Sequence, residues 1–482
     1  MVVVIMTERY QRVLKKGNRS RTTLFFRSLA VFDRGEAKTE KHELDDQSSH
    51  THASSGYKID EAVEDEDEYD DDELALSALE SLDAVDVFKH NASVAQSSIP
   101  SDNLRRLIML LLVIAPLDTQ EPLSKYADRV TGEQLQGLQE TADSILAAFI
   151  DVEKAVGVKL HSWHTVIPVS LPFMFSGLNP LFEHFLFSKN IDFTKRDPAV
   201  QDGSVHSVAK PSLPTELEQP LLHKEGDIMN LNVLCQLSFF IPGTSLFRRL
   251  RQLYSGNEHG FSMGSFQTHV FNWRSPTLLL VSGSRINSPP KTLQERTFTE
   301  SLPPKRFPDS NDKDRVIYGV YMEKPWQQTY KDCIGDSSTL LFQLAPTHEV
   351  FHASSVNTDY ISFTRPPTAF SGIGIGCPHP KQKATNGLGS TVSLGAVSLL
   401  LDSSFEFGVF THDYSRGGGA FHNSVSRKRD WQDRFQIDSL EVYGCGGDEE
   451  AKAQRERWQW EEKEAEARRR INIGKGDIEA DR

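Results

Sequence analysis

The sequence has few cysteines and no apolar run long enough to span a membrane. Its four cysteines, Cys235, Cys333, Cys377 and Cys445, lie far apart, with no C-x-x-C pair and no histidine at ligand spacing. The longest apolar run covers only residues 107–115, whereas a membrane-spanning helix needs about 20 residues. We therefore expect reduced thiols in a cytosolic protein, no metal site and no membrane span.

Positive charge is outnumbered, because 67 acidic residues face 53 lysines and arginines and give a formal net charge of -14. A surface that binds nucleic acid needs clustered lysine and arginine, so we expect no nucleic-acid partner. Residues 64–73 are all acidic except Tyr69, and such a tract is typical of a disordered segment because like charges repel. The first 34 residues contain eight lysines or arginines, which fits a basic tail, a misplaced start codon or a mitochondrial presequence.

The glycine run at residues 371–378 does not complete a dinucleotide-binding fingerprint. The two possible registers need a third glycine at position 377 or 379, where Cys377 and His379 stand. Glycines within a strand more often mark a bulge or a close approach of the backbone. We therefore expect no cofactor.

Composition divides the chain into five parts. We expect disorder over residues 1–97, a helical domain over 98–194, a proline-containing linker over 195–218, a sheet domain over 219–447, and a charged helix and tail over 448–482. Within the sheet domain, residues 284–313 are polar and proline-rich, which predicts an inserted mobile loop.

Short apolar runs separated by turn residues dominate the sheet domain. Nine such runs between residues 277 and 444 predict antiparallel strands, most simply arranged as a two-sheet sandwich. In the last run Phe435 and Ile437 share one face, whereas Leu440 and Val442 lie on the other, which predicts a bulge near Ser439.

Residues 260–264, Gly-Phe-Ser-Met-Gly, fit the G-x-S-x-G pattern of a hydrolase nucleophile. That chemistry requires a buried strand that leads into a strained turn at Ser262. The apolar residues Leu250, Leu253 and Tyr254 instead recur at helical spacing, which predicts a helix before the turn. We therefore do not expect Ser262 to be catalytic.

Six blocks in order resemble the TLDc domain over roughly residues 219–447: LYSGNEHGFSMGSF, TLLLVSG, YGVYMEKPW, GDSSTLLFQLAP, SLLLDSSFEFGVF and FQIDSLEVYGCGG. The resemblance implies an α+β fold, a TLDc-like two-sheet antiparallel β-sandwich with flanking helices. It also implies structural roles for the family's signature residues, which are Gly260, Ser262, Gly319, Gly335, Phe342, Glu441 and Gly444.

The TLDc family has no agreed catalytic residue and is linked to oxidative-stress resistance and to binding of the vacuolar proton ATPase. The resemblance therefore implies a non-enzymatic protein that binds this pump and regulates its assembly. Val2 cannot accept the N-myristoyl group that some relatives carry. We expect a monomer in the cytoplasm, with a peripheral position at the vacuole as a second location.

The alternative is an enzyme, either a hydrolase that uses Ser262 or a peroxide-consuming protein that uses a cysteine. A reactive cysteine needs an exposed, electropositive setting. Cys235 lies in an apolar stretch and Cys333 follows Asp332, so neither has a neighbour in sequence that would activate it.

Overall fold

The structure is a computed structural model. It describes residues 26, 28–32, 97–118, 123–149, 157–186, 220–286, 290, 292–310, 313–366, 368, 370–380, 392–446 and 452. The predicted acidic tract, the linker at 195–218 and nearly all of the charged C-terminal segment lie outside these residues.

The described residues form a helical unit followed by a sheet unit. The helical unit contains β1 (Val31–Phe32), β2 (Ser97–Pro100), α1 (Ser101–Ile114), a 3-10 helix (Leu123–Val130), α2 (Gly132–Leu146), β3 (Gly157–Lys159), α3 (Leu160–Ser170) and α4 (Leu178–Leu186). The sheet unit begins with α5 (Leu231–Leu237), α6 (Gly243–Leu246), β4 (Leu250–Ser255), α7 (Gly256–His259), α8 (Met263–Val270), β5 (Thr277–Arg285) and α9 (Leu293–Ser301). It continues with β6 (Arg315–Met322), β7 (Leu340–Ala345), β8 (Glu349–His352), β9 (Ile361–Thr364), β10 (Gly372–Ile375), β11 (Val397–Asp402), β12 (Phe407–His412) and β13 (Trp431–Cys445).

The nine predicted strands are confirmed as β5 to β13, and the fold is α+β with one large antiparallel sheet. The hydrogen-bonded order is β8-β7-β6-β5-β13-β12-β11-β10-β9, and β4 also pairs with β13. The sheet bends so that its two halves face each other. For example, Tyr318 of β6 stacks on Phe410 of β12 with ring centroids 4.5 Å apart. The two layers of the sandwich are thus halves of a continuous sheet.

The long strand β13 joins the two layers. Its first half pairs with β12, and its second half pairs with β4. The register against β5 shifts between Ile437 and Ser439, which confirms the predicted bulge. A bulge bends a strand and increases its twist, so this position lets β13 pass from one layer into the other.

Each layer is covered on both faces. The inner faces enclose the largest apolar cluster, which includes Phe351 and Phe410. The outer face of the first layer packs against α5 and the segments beside it, where Phe342 contacts Phe240. The strands are therefore buried on both sides, which explains why several of them read as continuous apolar runs rather than as alternating ones.

The inserted segment contains a helix, so its description as a mobile loop is wrong for residues 293–301. Thr292 and Glu295 form a reciprocal capping box that starts α9. Phe298 of α9 stacks on Phe407 of β12 at 5.2 Å and covers the outer face of the second layer. The insert folds because that face would otherwise expose apolar side chains.

The helix predicted before Ser262 is also wrong, because residues 250–255 form the strand β4. Both ends of this strand are buried, with Leu250 in the outer cluster and Leu253 and Tyr254 in the inner one. A register shift between Val442 and Tyr443 accompanies this change of face. The bulge gives apolar residues a spacing that imitates a helix.

The helical unit includes residues from the part of the chain that composition assigns to disorder. Phe26 is fully buried against Trp163, with ring centroids 6.0 Å apart, and β1 pairs with β2. One large aromatic side chain can contribute a few kcal/mol when it is buried. The prediction of disorder over residues 1–97 is therefore wrong for the described residues among 26–32.

Helix α5 lies between the helical unit and the sheet. On one side Cys235 and Phe239 belong to the core of the helical unit, and on the other Leu234 and Phe240 belong to the outer core of the sheet. Buried hydrogen bonds also cross the junction. Gln236 donates to the carbonyl oxygen of Leu344, and the backbone N–H of His348 donates to the carbonyl of Ser144. The two units thus share one continuous interior.

Candidate functional site

The turn that contains Ser262 connects β4 to α8 through the short helix α7. Ser262 is the N-cap residue of α8, and its Oγ accepts a hydrogen bond from the backbone N–H of Ser265 at 3.1 Å. Gly260 has φ of 83°, a conformation that favours glycine, and its carbonyl accepts from the Tyr254 hydroxyl at 2.8 Å. The hydroxyl of Ser262 therefore has a structural partner in the helix that follows it.

Two imidazoles lie close to this turn without activating Ser262. His259 and His269 have ring centroids 4.1 Å apart. Nδ1 of His259 accepts from the backbone N–H of Ser255 at 3.1 Å, and His269 Nδ1 donates to the carbonyl of Ser265 at 2.8 Å. Among the described residues no imidazole is hydrogen-bonded to Ser262 Oγ, so the serine–base pair of a hydrolase is not formed.

Partial burial and the neighbouring His269 lower the pKa of His259. A protonated His259 would place an N–H at Nδ1 against the N–H of Ser255, so the neutral form fits the observed bond. In that form Nε2 carries the proton. The lone pair that a metal ion would need at Nε2 is therefore absent.

Glu441 fixes the start of α5 to the sheet. Its fully buried carboxylate accepts from the backbone N–H groups of Asp227 at 2.5 Å, Ile228 at 3.1 Å and Met229 at 3.1 Å. The Tyr443 hydroxyl donates a further bond at 3.1 Å. With four donors the carboxylate is satisfied, and it acts as a structural anchor.

The remaining signature residues lie at close approaches or at turns. Gly319 pairs directly with Phe342 across β6 and β7, and the Phe342 ring occupies the space that a side chain at Gly319 would need. The Trp273 ring occupies the equivalent space beside Gly444. Gly335 has φ of 118°, which L-residues rarely adopt. These positions shape the scaffold and provide no reacting group.

All four thiols are free, and their pKa values are raised. Burial is the largest cause for each. At Cys333, the most accessible of the four, burial and Asp359 raise the pKa to about 12. At Cys235 the nearby Arg129 opposes the effect of burial without reversing it. Thiolate is the reactive form, so these environments disfavour peroxide chemistry.

A buried cluster of charges at the opposite end of the sandwich has no counterpart among the residues expected from sequence. Glu349 at the start of β8 binds Arg427 through Nε at 2.8 Å and Nη2 at 3.0 Å. Ser424 and Ser426 donate to the same carboxylate at 2.7 Å and 2.6 Å. Burial alone would raise the pKa of Glu349, but Arg427 and the two hydroxyls hold it below its usual value.

A second ion pair extends this charged cluster. Asp433, fully buried, lies 3.2 Å from Arg285 Nε and accepts from the Tyr318 hydroxyl at 2.6 Å. Gln343 connects the pairs, because its Oε1 accepts from Arg427 at 2.6 Å and its Nε2 donates to the Tyr318 hydroxyl at 3.4 Å. Arg285 and Asp433 lie just outside the apolar runs that predict β5 and β13, so those runs do not indicate this pair.

The segment between β12 and β13 is held in place by the charged cluster. The Arg427 guanidinium lies 4.1 Å from the centroid of the Trp431 ring, and Trp431 stacks on His412 at 3.8 Å. His412 Nδ1 donates to the carbonyl of Arg429 at 2.9 Å, and its Nε2 accepts from the N–H of Ser424 at 2.9 Å. Burial lowers the pKa of His412 to about 4, in agreement with this neutral form.

No helix among the described residues is long and apolar enough to cross a membrane. The same residues contain no group of three or more histidine, cysteine or acidic side chains that could hold a metal ion.

Residues 222–446 match the TLDc domain family. The chain is 54% identical over 491 residues to a protein of Colletotrichum graminicola named restriction of telomere capping protein 5, covering 100% of this chain and 80% of the relative. Proteins of the same name from Fusarium vanettenii and Neurospora crassa are 50% and 49% identical, with the same shares covered.

Proposed function

Because this chain belongs to the TLDc-domain family, within the group of relatives named restriction of telomere capping protein 5, we propose that it is a non-enzymatic binding protein. Its partner is the vacuolar proton ATPase, whose assembly it regulates. Resistance to oxidative stress is the expected outward effect, and the name of the relatives connects the protein to telomere capping. We place it in the cytoplasm, as a monomer that reaches the vacuole through its partner.

The observation that carries this proposal is the use of Ser262 as a helix cap. The hydroxyl that fits a nucleophile pattern accepts the backbone N–H of Ser265, and its neighbours His259 and His269 are engaged with other backbone groups. Other signature residues also have structural roles. Glu441 binds the backbone before α5, and Gly319 leaves space for the Phe342 ring. A family whose shared residues build a scaffold is suited to present a surface to a partner.

The strand β4 precedes the Ser262 turn, as a strand precedes the serine in a hydrolase. The short helix α7, Gly256–His259, separates the strand from the serine, and this differs from the direct strand-to-helix turn of a nucleophile elbow. The proposal therefore rests on the hydrogen bonds of Ser262 rather than on its secondary structure.

The test uses the full chain, because α5 shares its interior with both units. Purified vacuolar proton ATPase is mixed with the protein, and hydrogen exchange is compared with and without the pump. We expect slower exchange in peptides of residues 222–446 and, in a parallel assay, release of the pump's cytosolic sector. A standard interface buries about 800 Å² per partner, enough to protect several peptides.

The enzyme alternative is tested with the same samples. Ester and peroxide substrates are supplied to the protein, to Ser262→Ala and to Cys333→Ser. We expect no turnover above the buffer rate in any of the three. Absent protection by the pump, together with turnover that one of these substitutions abolishes, would replace the binding proposal with an enzymatic one.

A further inference from the structure

Cationic side chains, most of them exposed, surround the segment between β12 and β13. Three segments meet there: Gln432 N–H donates to the carbonyl of Pro308 at 2.8 Å, and Tyr414 N–H donates to Asp430 at 2.6 Å. We call the surface they form the basic rim. It consists of Lys305, Arg306, Arg416, Lys428 and Arg429.

The five cations of the basic rim outnumber the three carboxylates beside it, so the rim keeps a net positive charge. Asp309 pairs with Lys305 at 2.6 Å. Asp413 accepts from Ser415 and from the backbone of Arg416, at 2.9 Å and 3.1 Å. Asp430 accepts from the backbone of Tyr414. Arg306, Arg416 and Lys428 are all exposed, so the rim can contribute positive charge to a contact from outside.

The buried ion pair beneath the rim holds the residues just before Lys428 in place. Glu349 binds Arg427, Ser424 and Ser426 at once, and these residues directly precede Lys428 and Arg429. A buried ion pair of this kind adds little net stability compared with apolar side chains of the same size. Its consequence here is a preorganised segment, which lowers the entropy lost when the rim binds a ligand.

We propose that residues 64–73 of the same chain dock on the basic rim. In this tract nine of the ten residues are acidic. The tract contains the strongest concentration of negative charge in a chain whose net charge is -14, and the rim is positively charged. The proposal is independent of the vacuolar pump.

The position of the tract in the chain makes the contact reachable. Phe32 and Ser97, which flank the segment that contains the tract, are paired across β1 and β2. Strand β2 adjoins β3, which runs into α3. The eleven residues of α3 span about 16 Å, and at its end Val169 accepts from His352, whose carbonyl accepts from His422. Residues 74–96 can extend about 75 Å, several times this path.

The contact is tested by zero-length carbodiimide cross-linking of the full chain, followed by mass spectrometry. The reaction joins a lysine amine to a carboxylate only when the two touch. Links to Lys428 report contact with the basic rim. Lys324 is the matched control, because it is also exposed but follows the C-terminal end of β6. We expect links from residues 64–73 to Lys428 at about five times the yield of links to Lys324, falling toward equality in 1 M salt, where the Debye length is about 3 Å.

Two variants separate docking from chance encounter. Arg306→Gln with Arg416→Gln removes two rim charges, leaves the reporter in place and should lower the Lys428 yield about threefold at low ionic strength. The matched control Arg274→Gln, an exposed arginine away from the rim, should leave it unchanged. Equal yields at Lys428 and Lys324 would overturn the proposal. So would dominant links from the tract to Lys15 or Lys16, or links that join isotopically distinct copies of the chain.

Discussion

The two ends of the sandwich are closed in opposite ways. At the end where β12 begins, Phe266 of α8 lies among Trp326, Phe363 and Phe405, at 5.1, 5.7 and 5.9 Å. At the end where β12 finishes, buried charges meet around Glu349. The first end needs only apolar side chains of suitable size, whereas the second needs every donor matched to an acceptor.

This difference indicates what each end can tolerate. When buried apolar side chains are truncated, the protein loses stability roughly in proportion to the atoms removed. Losses at sites that are not in contact add. A buried ion pair loses most when one partner remains without the other. The apolar end includes the signature turn at Ser262, and the charged end supports the basic rim. The end identified by sequence patterns is therefore the simpler of the two.

The largest effect is expected at the charged end. Glu349→Ala leaves Arg427 buried without its carboxylate, and we expect the free energy of unfolding to fall by about 4 kcal/mol. The pair variant Glu349→Leu with Arg427→Met should recover at least half of this loss, because no charge remains buried. Urea denaturation of the unaltered protein, Glu349→Leu alone, Arg427→Met alone and the pair variant completes the double-mutant cycle. A pair variant as unstable as the two single variants combined would show that the charged end behaves like the apolar end.

A slightly smaller effect is expected at the apolar end. Phe266→Ala should lower the free energy of unfolding by about 3.5 kcal/mol, because the ring is fully buried among four aromatic side chains. Phe363→Leu is a milder change among the same buried aromatic side chains. Because the two rings are in contact, the combined cost should depart from the sum of the single costs by about 1 kcal/mol, which is less than the recovery expected at the charged end. Recovery as large as that at the charged end would contradict the comparison.

The charged end should also make the stability of the protein depend on pH. His412 belongs to the charged end, and burial lowers its pKa to about 4, below the ordinary value of about 6.5 for an unfolded chain. The unfolded state therefore takes up the proton first, so stability is complete above pH 6.5 and is lost as the pH falls toward 4. At pH 5 the loss from His412 should be about 2 kcal/mol.

His412→Asn should reduce this pH dependence, because asparagine does not titrate in that range. The measurement is urea denaturation at pH 5 and pH 7 for both proteins. His348, whose pKa burial also lowers to about 4, remains in both and gives the residual slope. An identical pH dependence in the variant would show that His412 is not buried in its neutral form.

Sequence patterns predict the elements of this fold that rest on apolar periodicity. The strands β5 to β13 and the bulge at Ser439 follow from runs of apolar residues and one break in their alternation. The strand β4 was missed because its bulge gives Leu250, Leu253 and Tyr254 a helical spacing. Helix α9 was missed because its polar, proline-flanked sequence hides a capping box at Thr292 and a single buried aromatic residue, Phe298.

In the candidate site, too, the sequence identifies some residues but not their contacts. Ser262 and Glu441 were identified from the resemblance to the TLDc domain, but their hydrogen bonds depend on Ser265 and on residues 227–229, which only the fold brings into place. The Glu349–Arg427 pair joins residues that are 78 positions apart. A local pattern cannot predict such a pair, because its partners come from separate elements of the sandwich.

The smallest expected effect concerns Ser262 and separates its role as a cap from a role as a nucleophile. Ser262→Ala removes the bond from Ser265 N–H, so we expect about 1 kcal/mol less stability and undiminished binding to the partner at 25 °C. Ser262→Asn is the matched control, since asparagine caps helices as well as serine does but has no hydroxyl. It should equal the unaltered protein in both stability and binding. A hydrolase would lose its activity equally in both variants, because neither retains a nucleophilic oxygen at this position. If Ser262→Ala and Ser262→Asn lost function equally while Ser262→Asn kept its stability, Ser262 would be a catalytic residue rather than a helix cap.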